Sequence, residues 1–119
     1  MCIRDSPIAA AGLRDLLLLF CGRRLLLRIE GRSMQPTLEP GDRVLVRRLG
    51  RKTAPSLGSV VVTWHPQRSE LRLIKRLSRV DSTGLWLLGD NPAESTDSRQ
   101  LGAMPTNLMI GEVVGRLPL

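Results

Sequence analysis

Of the 18 basic residues in this chain only two are lysines, Lys52 and Lys75. Lys75 stands where a charge is hard to keep. The run Leu71-Arg72-Leu73-Ile74-Lys75-Arg76-Leu77 reads as a strand, with Leu71, Leu73, Lys75 and Leu77 on one face and Arg72, Ile74 and Arg76 on the other. A leucine-lined face strips water from the ammonium and favours the neutral amine. Bringing its pKa from ~10.4 to ~8 corresponds to about 3 kcal/mol of differential interaction. An arginine cannot deprotonate in a protein, whereas a lysine can once desolvated. A lysine that snorkels from the apolar face into solvent fits the same pattern, and the strand alone does not separate the two readings.

A neutral lysine is a general base, and Ser33 is the hydroxyl that would need one. It lies in Gly31-Arg32-Ser33-Met34-Gln35-Pro36-Thr37-Leu38, at the end of a strand-like run. A Gly- and Pro-punctuated turn on a rigid strand holds a side chain still while leaving it accessible. Pro36 also restricts the residue before it. A serine hydroxyl is a weak nucleophile and needs an adjacent base. The single histidine, His65 in Trp64-His65-Pro66, reads as a surface-loop residue at a strand end. That leaves Lys75 as the best candidate, and Ser–Lys pairs are a known variant of the triad. Taken by itself, Gly-x-Ser-Met is a weak signal; the pairing makes it a strong one. Cys2 and Cys21 form no CxxC and have no partners at metal spacing, so neither a metal site nor a cofactor is expected.

The elements that must position this pair are mostly strands. Candidate strands are Leu25–Glu30, Arg43–Leu49, Ser59–Trp64, Leu71–Val80, Leu85–Leu88 and Gly111–Arg116, each bounded by Gly, Pro or polar residues. Pro40-Gly41 marks a tight turn. Ahead of them, Ser6-Pro7 reads as a helix start and Gly22 as its stop. Leu13, Leu16, Leu17 and Phe20 recur at helical spacing on one face of that segment. Either it packs on the rest of the chain or, with Arg23 and Arg24, it lies against a membrane surface. The pattern predicts a mainly β fold, a small and partly open β-barrel with one N-terminal helix. The division is 1–22 for the N-terminal segment and 23–119 for one domain. Met1–Ser6 resembles a translated sequencing adaptor and is assigned no function.

Composition narrows the function classes. The 119 residues suffice for one compact domain, and 42% hydrophobic content is globular. The net charge of +7 raises the question of an anionic partner. However, the basic residues are scattered, no aromatics are interleaved to stack bases, and no nucleic-acid-binding motif appears. The expected partner is therefore not nucleic acid. The longest apolar run, Leu16–Phe20, is far short of the roughly 20 residues of a span. Arg14 and Asp15 interrupt what would be the apolar centre of a signal peptide. The expected location is cytoplasmic, or peripheral to a membrane on the alternative reading of the N-terminal helix.

Ser33-Met34-Gln35-Pro36-Thr37-Leu38, Gly41-Asp42, Lys75-Arg76, and Gly89-Asp90-Asn91 with Ser95-Thr96-Asp97-Ser98-Arg99 follow one another in this order. In this the chain resembles the type I signal peptidases over residues 30–116. The resemblance implies a signal-peptidase-type β-barrel, Ser33 as nucleophile, Lys75 as base and Ser33 N–H as an oxyanion donor. It also implies that Ser95 orients the Lys75 amine, that Asp97 and Arg99 brace the loop, and that Met34 and Pro36 contact substrate. Within that family the chain looks most similar to the maturation proteases of nickel-type superoxide dismutase, on Trp64-His65-Pro66 and on Gly89-Asp90-Asn91-Pro92 leading to Ser95. The implied partner is a precursor protein whose propeptide is removed, and any nickel would belong to that substrate.

Two departures qualify the resemblance. Thirteen residues separate Lys75 from Gly89, too few for the extra β domain of bacterial secretory signal peptidases. Gly31 stands where many relatives place a Ser whose hydroxyl helps the oxyanion hole. A self-cleaving repressor would share the dyad, but the roughly 30 residues before Ser33 are too few for its DNA-binding domain. A basic nucleic-acid-binding β-barrel is the non-enzymatic alternative.

Overall fold

The computed structural model describes residues 24–50 and 54–117, together with Ile8, Gly12, Leu13, Leu17 and Gly22. Among these residues six strands form: β1 (Arg24–Arg28), β2 (Arg43–Arg48), β3 (Val60–Trp64), β4 (Arg72–Asp81), β5 (Gly84–Leu88) and β6 (Met109–Leu117). All six expected strands are present, with ends shifted by a residue or two. They make one antiparallel sheet in the order β1-β2-β6-β3-β4-β5. The last strand thus inserts between β2 and β3. The sheet does not close, as a partly open barrel requires. Helix after residue 22 is slight: a four-residue helix α1 (Ser98–Leu101) and 3-10 turns at Pro92–Glu94 and Thr106–Leu108.

The expected helix over residues 6–21 lies outside the described residues except for Ile8, Gly12, Leu13 and Leu17, of which Leu13 and Leu17 are helical and exposed. No helix among the described residues is long and apolar enough to cross a membrane.

Alternation sorts the apolar side chains into two clusters, one on each face of the sheet. Leu27, Ile29, Val44, Val46, Val60 and Val62 pack with Met34 and Leu38 from the β1–β2 turn, and Ile74 joins them from β4. On the opposite face, Val61, Leu77, Leu85, Leu87 and Met104 pack together, with Leu73 against them. Adjacent residues of β4, such as Leu73 and Ile74, therefore serve different cores, as its alternating pattern requires.

Among the described residues, pairing leaves two edges open. β1 bonds only to β2. In β4, residues 72–75 bond only to β3, and β5 begins to pair at Arg76. These edges face each other across a cavity of about 450 Å3, lined by Leu27, Ile29, Glu30, Ser33, Met34, Ile74 and Lys75 among others.

Candidate active site

Ser33 is carried by the turn that joins β1 to β2. The turn is anchored from within: Met34 and Leu38 are buried in the first core cluster, and Leu38 N–H donates to Met34 O at 3.0 Å. Gln35 N–H donates to Arg32 O at 3.2 Å. Gly31, just before it, takes φ +76°, a conformation that side chains with a Cβ rarely adopt. Held between buried Met34 and exposed Arg32, Ser33 is half-buried and faces the cavity.

Lys75 lines the same cavity from the other side. It sits opposite Val61 in the β3–β4 ladder and is only 5% exposed. Among the described residues its side-chain amine forms neither a hydrogen bond nor an ion pair. Burial is the largest influence on its amine and lowers the pKa to about 8, with nearby Asp97 opposing the shift and Arg99 adding to it. The leucines contribute unequally: Leu77 is fully buried and Leu73 half-buried, but Leu71 is 41% exposed. Lysine snorkelling does not occur here.

A buried carboxylate so near an ammonium would ordinarily pair with it. Asp97 is instead saturated by other donors. Its Oδ2 accepts from Gly89 N–H at 2.8 Å, Ser95 Oγ–H at 2.6 Å and Arg99 Nη2 at 2.6 Å. Its Oδ1 accepts from Arg99 N–H and Nε, both at 3.0 Å. Burial opposes the Asp97 charge, but these hydrogen bonds outweigh it and hold the carboxyl well below the usual carboxylate range. Asp97 also caps α1, in a reciprocal box with Gln100. Ser95 Oγ spends its proton on Asp97, so towards any neighbour it can act only as an acceptor.

Loop and turn are joined directly. Asn91 N–H donates to Ser33 O at 2.8 Å, and its side chain donates to Arg32 O at 3.1 Å. Gly89 permits that contact: a Cβ there would lie 2.2 Å from Ser95 Oγ and 2.7 Å from Ser33 O.

A second polar cluster, given no role in the sequence reading, lies beside this one. Arg76 follows Lys75 in β4, is 2% exposed, and binds Asp90 through Nε at 3.1 Å and Nη2 at 2.7 Å. Thr37 Oγ1 donates to Asp90 Oδ2 at 2.6 Å, and Arg76 Nη1 donates to Gly58 O at 2.8 Å. The available signal was Lys75-Arg76 next to Gly89-Asp90 in the ordered motifs; an arginine alternating with leucines otherwise reads as solvent-facing.

The structure therefore brings Ser33, Met34 and Lys75 together at one cavity, while Ser95, Asp97 and Arg99 pack in the loop behind it. Pro36 is exposed and outside the cavity lining. Among the described residues no group of His, Cys, Asp or Glu is placed to hold a metal ion.

The open edges give the cavity a further property. His65 N–H donates to Leu71 O and Leu77 N–H to Ser59 O, both at 2.8 Å, so odd-numbered residues of β4 turn their peptide groups toward β3. By the two-residue period, Arg72 and Ile74 turn theirs toward the cavity. Ile29 N–H likewise donates to Asp42 O at 2.7 Å, which leaves the peptide groups of Arg28 and Glu30 facing the cavity from β1. An extended peptide could bond to either edge.

Comparison with known proteins gives the family. The chain is 35% identical to mitochondrial inner membrane protease subunit 1 of Schizosaccharomyces pombe, over 73% of this chain and 69% of that protein. It is 29% identical to mitochondrial inner membrane protease subunit 1 of Mus musculus, over 70% of this chain and 63% of that protein. It is 28% identical to mitochondrial ATP-independent inner membrane protease subunit 1a of Arabidopsis thaliana, over 75% and 67% respectively. The chain thus spans about two thirds of the length of these relatives. Residues 19–114 match the family described as Peptidase S24-like, and the chain belongs to that signal-peptidase-like family of proteases.

Proposed function

We propose that this chain is a serine endopeptidase in which Ser33 is the nucleophile and Lys75 the general base, and that it removes an N-terminal segment from a precursor protein. The observation that carries this reading is the Lys75 amine: buried, without an ion-pair partner, depressed to about 8, and on the same cavity as Ser33. A base poised near the working pH is the condition that general-base catalysis sets.

In the reaction, a substrate strand bonds to the open edges of β1 and β4. Ser33 Oγ attacks the scissile carbonyl carbon while its proton passes to neutral Lys75 Nζ. The Ser33 N–H, which has no acceptor among the described residues, faces the developing oxyanion. The tetrahedral intermediate collapses; the C–N bond breaks and Lys75 returns the proton to the leaving amine. Water then attacks the acyl ester, again giving its proton to Lys75; the bond between the acyl carbon and Ser33 Oγ breaks, Lys75 returns the proton to Oγ, and the carboxyl product leaves.

For the substrate, the motif resemblance favours the propeptide of a nickel-type superoxide dismutase precursor. The inner membrane proteases similar to this chain favour instead a precursor presented at a membrane. We place the enzyme in the cytoplasm, in peripheral contact with membrane.

The test uses wild type, Ser33→Ala and Lys75→Arg against a random decapeptide library and against a nickel-type superoxide dismutase precursor, read by mass spectrometry. Wild type cuts library peptides, both variants are at least 10³-fold slower, and the precursor loses its propeptide at one site. Cleavage by Lys75→Arg at the wild-type rate would defeat the mechanism. An intact precursor beside a digested library would defeat only the substrate assignment.

A further inference from the structure

We infer that Thr37, Asp90 and Arg76 form a positioning clamp that fixes the turn bearing Ser33 against the strand bearing Lys75. The inference rests on the Ser33–Lys75 reading above and says what holds that pair in register.

Ser33 and Lys75 come from elements that do not pair with one another: the turn after β1, and the open-edged half of β4. An open sheet has no ladder across that gap. Thr37, four residues after Ser33 in the same turn, donates to Asp90 Oδ2 at 2.6 Å. Arg76, the residue next to Lys75, grips the same carboxylate through two nitrogens and reaches Thr37 Oγ1 at 3.4 Å. Asp90 itself is chained to Asn91, whose N–H binds Ser33 O. Turn, strand and loop thus meet at one carboxylate.

Burial makes the junction stiff. The side chains of Arg76 and Asp90 are 3% and 4% exposed, so water cannot stand in for a lost partner. Two parallel N–H···O bonds fix orientation as well as distance. A third tie, from Arg76 Nη1 to Gly58 O, stops the guanidinium from swinging. The cluster lies outside the cavity lining, so its members act through Ser33 and Lys75 and not on substrate.

Thr37 is the informative residue, because valine keeps its shape and removes only the hydroxyl. Thr37→Val leaves the Arg76–Asp90 pair in place but unhooks the turn. The substrate for the test is the library decapeptide that wild type cuts fastest. Thr37→Val is expected to lower kcat by about 10- to 100-fold, since small misplacements of reacting groups cost that much. KM should stay within about twofold, and Thr37→Ser, which keeps the hydroxyl, should retain activity. Thr37→Val combined with Asp90→Asn should lose no more than the larger single effect, as residues of one network do. Where Thr37→Val yields little folded protein, Arg76→Lys gives the same readout: it keeps the charge but loses the two-pronged grip, and the fall should again be in kcat.

Wild-type kcat in Thr37→Val would overturn the clamp, as would equal losses in Thr37→Ser and Thr37→Val, or additive losses in the double variant. If Ser33→Ala or Lys75→Arg cut the peptide at the wild-type rate, the catalytic reading fails and the clamp with it. If those variants are dead while Thr37→Val is unimpaired, the clamp alone is wrong.

Discussion

Ser33 O accepts the amide of Asn91 at 2.8 Å, which fastens the turn after β1 to the loop that follows β5. Gly89 makes this approach possible, since a Cβ at that position would overlap both Ser95 Oγ and Ser33 O. Gly89→Ala must therefore push the loop from the turn or displace Ser95 from Asp97. The expected result is at least a 100-fold loss of peptidase activity, together with destabilisation of about 1–3 kcal/mol from overpacking. Library cleavage and urea unfolding read the two effects. Wild-type turnover in the alanine variant would contradict the packing described here.

The Lys75 amine sets the pH dependence. Only its neutral form accepts a proton, so kcat/KM should rise with pH, bend near 8 and level off above. Arg99 contributes a repulsion that lowers this pKa, and Asp97 an attraction that raises it. Arg99→Met removes the repulsion and should move the bend to higher pH. A profile that bends well below 7, or moves downward in Arg99→Met, would exclude Lys75 as the titrating base.

The same burial has a cost in stability. Near pH 7 the amine is protonated in folded and unfolded chains alike, so the folded state bears the full penalty of desolvating a charge. Between pH 8 and 10.5 the unfolded chain binds more protons than the folded one, so wild-type stability should rise with pH across that window. Lys75→Met removes the ammonium while filling the same space. It should be inactive yet more stable than wild type at pH 7, by up to about 3 kcal/mol. The difference should shrink toward pH 10.5. Urea midpoints at pH 7 and pH 10 check both sign and trend; a less stable variant at pH 7 would mean that the amine is not paying for burial.

Much of this was legible in the chain itself, for physical reasons that differ by residue. The strands showed because β-branched and leucine-rich runs lie between turn residues, and a two-residue period survives in sequence. Lys75 showed because a lysine among arginines, on a leucine face, has a chemical distinction. The sheet order was not legible: β6 inserts between β2 and β3 through pairings such as Val46 with Val113 and Val61 with Glu112, which local pattern does not encode. Arg76 was missed for the same reason. Its partners Asp90 and Thr37 lie 14 and 39 residues away, so nothing nearby distinguishes a buried guanidinium from a solvated one.

One buried group works against the fold. Thr63 in β3 is fully buried opposite Leu73, beside an irregularity in the pairing of β3 with β6. Its Oγ1 has no hydrogen-bond partner among the described residues. A buried hydroxyl left unpaired costs about 1–3 kcal/mol, and valine has nearly the same shape with a methyl in its place. Its neighbours in β3, Val60, Val61 and Val62, are already apolar and buried. Thr63→Val should therefore stabilise the chain by about 1 kcal/mol, seen as a higher Tm and an unchanged m-value in urea. Because Thr63 does not line the cavity, peptide cleavage should be unaffected. A loss of stability in Thr63→Val would mean that the hydroxyl is satisfied in solution, for instance by a buried water.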